Sequence, residues 1–172
     1  MDSIATSSHL PAIQEPHERE GIGQELQATV HNLIDLSLTG KQLHWAVVGP
    51  LFRPLHLQLD ELVDSWRELA DVVAERAVAL GFIPDGQAKA VAAASLVTPL
   101  AREPIEDHRV VWELTNRVTE VSELVRTRMD RLGDADAVSQ DVLIDVVRKL
   151  EEQQWMLRVP AARALLMLWR RL

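Results

Sequence analysis

Apolar residues recur in steps of three and four along most of the chain, and no stretch alternates in the two-residue rhythm of a half-buried strand. That periodicity commits the chain to packed helices. Between Gln24 and Val47 the helical step is kept by Leu26, Val30, Leu33, Ile34, Leu36, Leu38 and Leu43. Gly49-Pro50 interrupts it. The run Leu51–Leu80 resumes it, with Pro54 in the first turn, where a missing N–H costs nothing, and Gly81 and Pro84 close it. A third helix is predicted from Pro104 to about Leu132, with Glu106 and Asp107 in the first turn complementing the helix dipole. Gly133 stops it. The loop GDADAVSQD leads to a fourth helix over Ser139–Arg158, and Pro160 predicts a break before a short terminal helix in AARALLMLWRR.

Two segments fall outside this rhythm. Residues 1–20 carry two prolines, a Ser/Thr cluster and several charges, and read as an irregular tail. Asp85–Arg102 is Ala-rich with Pro99, and reads as a long crossover holding a short helix near Ala88–Ala94. Residues 21–158 then form an all-α domain, and 159–172 a C-terminal segment. Four long helices with one long connection, between the second and the third, have the connectivity of a ferritin-like four-helix bundle. At 172 residues, 47% of them apolar, one domain of this size buries a sizeable core.

Chemistry is narrowed by what is missing. With no Cys, disulfides and thiolate metal sites are excluded, and any metal must sit on His, Asp or Glu. The first residues lack the basic start and apolar run of a signal peptide, and no run reaches about 18 apolar residues, so the expected compartment is the cytoplasm. The net charge of −8 suits cation capture, although acidity also serves solubility.

The second helix concentrates the metal-binding side chains. With His56 set at zero, Asp60, Asp71 and Glu75 fall at about 40°, 60° and 100° around the helix, and Asp64 at about 80°. His44 stands near the end of the first helix, across the turn. Imidazole with carboxylate suits iron, manganese or zinc. Yet His56 and Glu75 are 19 residues apart, roughly 28 Å at 1.5 Å per residue, and cannot share one ion within a subunit. His56 with Asp60 is one half-site and Asp71 with Glu75 another. Antiparallel pairing of two copies about a two-fold axis would join unlike halves twice. The chain has no Glu-x-x-His motif, the signature of a di-iron site within one chain.

The stretch LSLTGKQLHWAVVGPLFRPLHLQLDELVDSWRELADVVAERAVALG resembles the signature of the Dps family, the DNA-binding proteins from starved cells. The shared features are K-Q-x-H-W, G-P-x-F, L-H-x-x-L-D and D-x-x-x-E-R-A. The resemblance extends more weakly over residues 24–158, including DVLIDVVRKLEEQQWML. It implies a dodecameric cage of four-helix bundles around an iron store. It also implies ferroxidase sites at two-fold interfaces, with His44, His56 and Asp60 from one subunit and Asp71 and Glu75 from the other. The implied reaction oxidises Fe(II) with hydrogen peroxide or oxygen and so protects DNA. Trp45 resembles a tryptophan beside the family's centre and is expected either to intercept radicals or to serve as a core or interface aromatic. Asp134, Asp136 and Asp141 resemble an acidic pore lining, while Asp136 or Ser139 also reads as a helix cap.

The remaining histidines and the basic residues yield weaker expectations. His9, Glu15, His17 and Glu18 are a candidate tail metal site, as in the tails of some relatives. His31 lies about 140° around the helix from His44 and reads as structural, and His108 as a surface residue. Family members that bind DNA commonly use basic tails. Here residues 1–25 hold five acids (Asp2, Glu15, Glu18, Glu20, Glu25) against Arg19, and the chain has only three lysines. The alternative of a nucleoid-binding architectural protein would rest on Arg158, Arg163, Arg170 and Arg171, and the charge balance disfavours it.

Overall fold

A computed structural model of the chain describes the backbone of residues 16–94 and 100–169 and the side chains of residues 17–94 and 100–158. Its elements run α1 (Pro16–Ala46), β1 (Val47–Val48), α2 (Phe52–Ala79), α3 (Ala88–Ala94), β2 (Ile105–Glu106), α4 (Asp107–Leu132) and α5 (Ala137–Trp169). The four long helices pack most extensively as the hairpins α1–α2 and α4–α5, and α3 lies against α1. Between the hairpins sits a core of Leu26, Leu33, Leu36 and Leu43 from α1, Leu59, Val63, Trp66 and Val73 from α2, Leu114, Val118 and Val125 from α4, and Leu143, Leu150 and Leu157 from α5. The predicted four-helix bundle with a short helix in the crossover is therefore the observed fold.

Three local differences from the sequence reading have physical reasons. Helix α1 begins at Pro16, inside the stretch read as tail. Proline is pre-set for a first helical position and Glu18 complements the first turn, so ordinary start signals lie there. Helix α5 begins at Ala137 and continues across Pro160 to Trp169. A proline deletes one ladder bond and crowds one carbonyl, a local cost of about 3 kcal/mol that a helix of this length can carry. Finally, β1 and β2 form a parallel pair with Val47 opposite Ile105 and Val48 opposite Glu106. Two residues per strand are too few for alternation to register.

That small pair fixes the end of the crossover beside the α1–α2 turn. Its start is fixed to α1: the Gln27 side chain bonds both the N–H of Asp85 (2.6 Å) and its carbonyl (3.1 Å), and His31 Nε2 lies 2.8 Å from the same carbonyl. This is the structural role expected of His31. Asp136 anchors the other end of the bundle. It caps α5 by accepting from the Ser139 N–H (3.1 Å) and hydroxyl, and Arg76 of α2 reaches it at 2.6 Å. Burial alone would push the Asp136 carboxyl up, but the Ser139 and Arg76 hydrogen bonds and the Arg76 charge together hold it below the ordinary carboxylate value. A lowered folded pKa contributes stability above the unfolded value and loses it as pH falls. Asp136→Ala is thus expected to cost about 2 kcal/mol in urea melts at pH 7. Its deficit against the parent should shrink below about pH 4 as the parent's own carboxyl protonates. A deficit independent of pH would refute the electrostatic part.

Candidate metal centre

His44 closes α1 and His56 lies in the second turn of α2, so the tight turn 47–51 brings the two rings together. They stack at 3.6 Å between centroids with planes 24° apart. Each ring bonds the other's backbone: His44 Nδ1 to the His56 carbonyl at 2.9 Å and His56 Nδ1 to the His44 carbonyl at 3.0 Å. A carbonyl oxygen only accepts, so Nδ1 of each ring carries the proton. In the neutral ring this places the lone pair on Nε2, the tautomer a metal-binding imidazole needs. His44 is buried, and His56 and Asp60 are half-buried.

Asp60, one turn beyond His56, stands 3.3 Å from His44 Nδ1 and forms a short ion pair with Lys41. The Lys41 hydrogen bond, chiefly, holds its carboxyl below the usual range; slight burial opposes this, and the charges of His44, Lys41 and His56 assist it. Lys41 is the first residue of the K-Q-x-H-W run. Its position three residues before His44 places it on nearly the same face of α1, which is the signal for its contact.

Asp71 and Glu75 lie on the same unbroken helix, about three and four turns beyond Asp60. Both are exposed, and neither has a hydrogen bond or ion pair among the described residues. The structure brings His44, His56 and Asp60 together and leaves Asp71 and Glu75 apart from them. The outer surface of this hairpin also exposes Leu38, Trp45, Phe52, Leu57, Val72 and Val78. Trp45 is 70% exposed, which removes the core reading for it.

Elsewhere, Asp136 has its carboxylate engaged within the chain as the α5 cap, whereas Asp134 and Asp141 are exposed. His17 and Glu18 are exposed on the first turn of α1, and His9 and Glu15 lie outside the described residues. Arg158 is exposed, and the side chains of Arg163, Arg170 and Arg171 lie outside the described ones. Among the described residues, Glu106, Asp107 and His108 offer three donor atoms within 4.8 Å of one another. Asp107, however, already accepts from the N–H groups of Leu51 (2.8 Å) and His108 (2.7 Å), and His108 points to solvent. No described helix is long and apolar enough to cross a membrane.

Comparison with known proteins bears on the fold and the family. The ferritin-like domain family matches residues 23–160. The DNA protection during starvation protein of Mycolicibacterium smegmatis is 34% identical over 155 residues, spanning 89% of this chain and 83% of the relative. The fine tangled pili major subunit of Haemophilus ducreyi is 34% identical over 139 residues, 80% of this chain and 72% of that one. Among solved structures, Dps of Mycobacterium smegmatis superposes with a TM-score of 0.82 at 32% identity, covering 92% of this chain and 93% of that chain.

Proposed function

Because the chain belongs to the Dps family of ferritin-like proteins, we propose that it is a ferroxidase and iron store working at sites shared between subunits. The observation that carries this reading is the histidine pair: two rings locked through Nδ1, which leaves Nε2 of each outside the lock, with the Asp60 carboxylate 3.3 Å from His44 Nδ1. His44, His56 and Asp60 supply one half of each centre, and Asp71 and Glu75 of a second copy supply the other. The roughly 28 Å between His56 and Glu75 along α2 keeps these ligands from sharing one ion within a subunit. The apolar residues exposed on the α1–α2 hairpin are the contact surface of the two-fold dimer, and six such dimers make the dodecamer.

Iron is the substrate. Carboxylates neutralise the cation and favour Fe(III), and imidazoles add directional nitrogen donors. Lys41 is the cation that Asp60 holds in the isolated chain, and an arriving ferrous ion takes its place. Hydrogen peroxide accepts one electron from each of two ferrous ions and, with two protons, leaves as two waters; oxygen is the slower alternative. Pairing the electrons avoids the hydroxyl radical that a single transfer releases. Trp45, next to His44 in sequence and exposed, is the residue to which we assign interception of stray oxidising equivalents. Asp134 and Asp141, both exposed, draw cations toward the pore. The protein acts in the cytoplasm and protects DNA by consuming Fe(II) and peroxide, since its charge of −8 does not favour covering the duplex.

The test is stopped-flow oxidation of Fe(II) by peroxide with the native protein and the His44→Ala/His56→Ala variant. The variant is expected to lose at least about tenfold in rate and to form no soluble ferric core. Equal rates, with the variant assembled normally, would remove the assignment.

A further inference from the structure

Helix α2 begins without a cap of its own: Leu51 stands at its N-cap position and its side chain makes no capping hydrogen bond. The missing acceptor comes from 56 residues away. The Asp107 carboxylate accepts from the Leu51 N–H at 2.8 Å through one oxygen and from the His108 N–H at 2.7 Å through the other. One carboxylate thus caps the entry to α2 and the start of α4. It is only 8% exposed, so both its oxygens are used where water is scarce. Gly49 makes room for it. A Cβ there would lie 2.8 Å from Asp107 Oδ2, and the residue also has φ +112°, a conformation glycine adopts freely. The pair β1–β2 holds the same turn from its other side, through the buried Val47 and Ile105.

This clamp grips the five residues that separate the two histidine-bearing helices. The mutual Nδ1–carbonyl bonds of His44 and His56 form only if the end of α1 and the start of α2 keep one relative position. We propose that Asp107 is a positioning residue for the histidine pair, acting through the Leu51 amide to hold the first turns of α2 against the end of α1. This rests on the reading of that pair as half of an iron site.

The test compares Asp107→Ala, Asp107→Asn and, as a control of similar stability loss, Gln153→Leu, all as full-length assembled protein below their melting temperatures. Hydrogen exchange of the amides in residues 47–56, read by mass spectrometry without metal, is expected to speed up at least about tenfold in Asp107→Ala and to stay at the parental rate in Gln153→Leu. The Fe(II) concentration giving half-maximal oxidation rate should rise about tenfold in Asp107→Ala, with the maximal rate within about twofold of the parent. Asp107→Asn keeps one acceptor oxygen and should recover most of both effects. Unchanged exchange in Asp107→Ala overturns the clamp. Faster exchange with an unchanged half-saturating Fe(II) concentration overturns its role at the site, as does an equal rise in Gln153→Leu. Failure of the iron reading itself shows separately, as equal oxidation by the native protein and His44→Ala/His56→Ala, while the exchange measurement still judges the clamp.

Discussion

Two inactive variants, mixed in one cage, are expected to regain activity. His44→Ala/His56→Ala removes the histidines from one half-site, and Asp71→Asn/Glu75→Gln removes the charge from the other. Each variant alone carries the same lesion in every centre and should oxidise Fe(II) at least about tenfold more slowly than the native protein. In a mixed two-fold dimer the lesions redistribute. One centre receives both damaged halves, and the other receives the intact histidines of one subunit with the intact carboxylates of its neighbour. Random pairing makes half the dimers mixed, so about a quarter of all centres should be whole. Co-expressed subunits carrying different affinity tags, isolated through both, should therefore show about a quarter of the native rate. If tandem-purified mixed cages stay as inactive as their parents, the centre is not shared across subunits.

The largest loss of stability is expected at Trp66. Its ring is wholly buried between α1 and α5, close against the helix position of Gly40, and its indole N–H donates to Gln153 Oε1 at 2.8 Å. Gln153 completes its own needs by donating to Ser65 at 3.1 Å. Trp66→Ala empties a tryptophan's volume and leaves a buried amide oxygen without a donor. The expected cost is about 3–5 kcal/mol. Trp66→Phe keeps most of the volume and should cost less, about 1–2 kcal/mol, mainly from the lost hydrogen bond. Urea melts at one protein concentration, with assembly state checked by sedimentation, measure both. Equal midpoints for the alanine variant and the native protein would contradict the packing described for the bundle's centre.

The sequence was most informative where the governing rule is periodic. The helical step located all four long helices, and the Ala-rich stretch at Ala88–Ala94 is the observed α3. The angular grouping of His56, Asp60, Asp71 and Glu75 follows from one straight helix and needs no tertiary information. What could not be read depends on contacts between distant segments. Asp107 looked like an ordinary acid complementing a helix dipole, because nothing near it in sequence says that it also caps α2. The contact of Arg76 with Asp136 joins positions 60 residues apart, and no local signal announces it. Lys41 and Asp60, 19 residues apart on different helices, meet only once the hairpin closes. The mutual locking of the two histidines is of the same kind.

Because α2 runs without a break from Phe52 to Ala79, it acts as a ruler, and its markings are covalent. One residue added or removed between Asp60 and Asp71 would shift everything downstream by about 1.5 Å and turn it by about 100°. Point changes along that stretch leave the spacing intact, whereas a single-codon insertion swings one end of the ruler away from its counterpart on the neighbouring molecule. Lineages descending from such a gene should therefore vary in the exposed letters of this segment, keep its buried ones, and hold its length fixed.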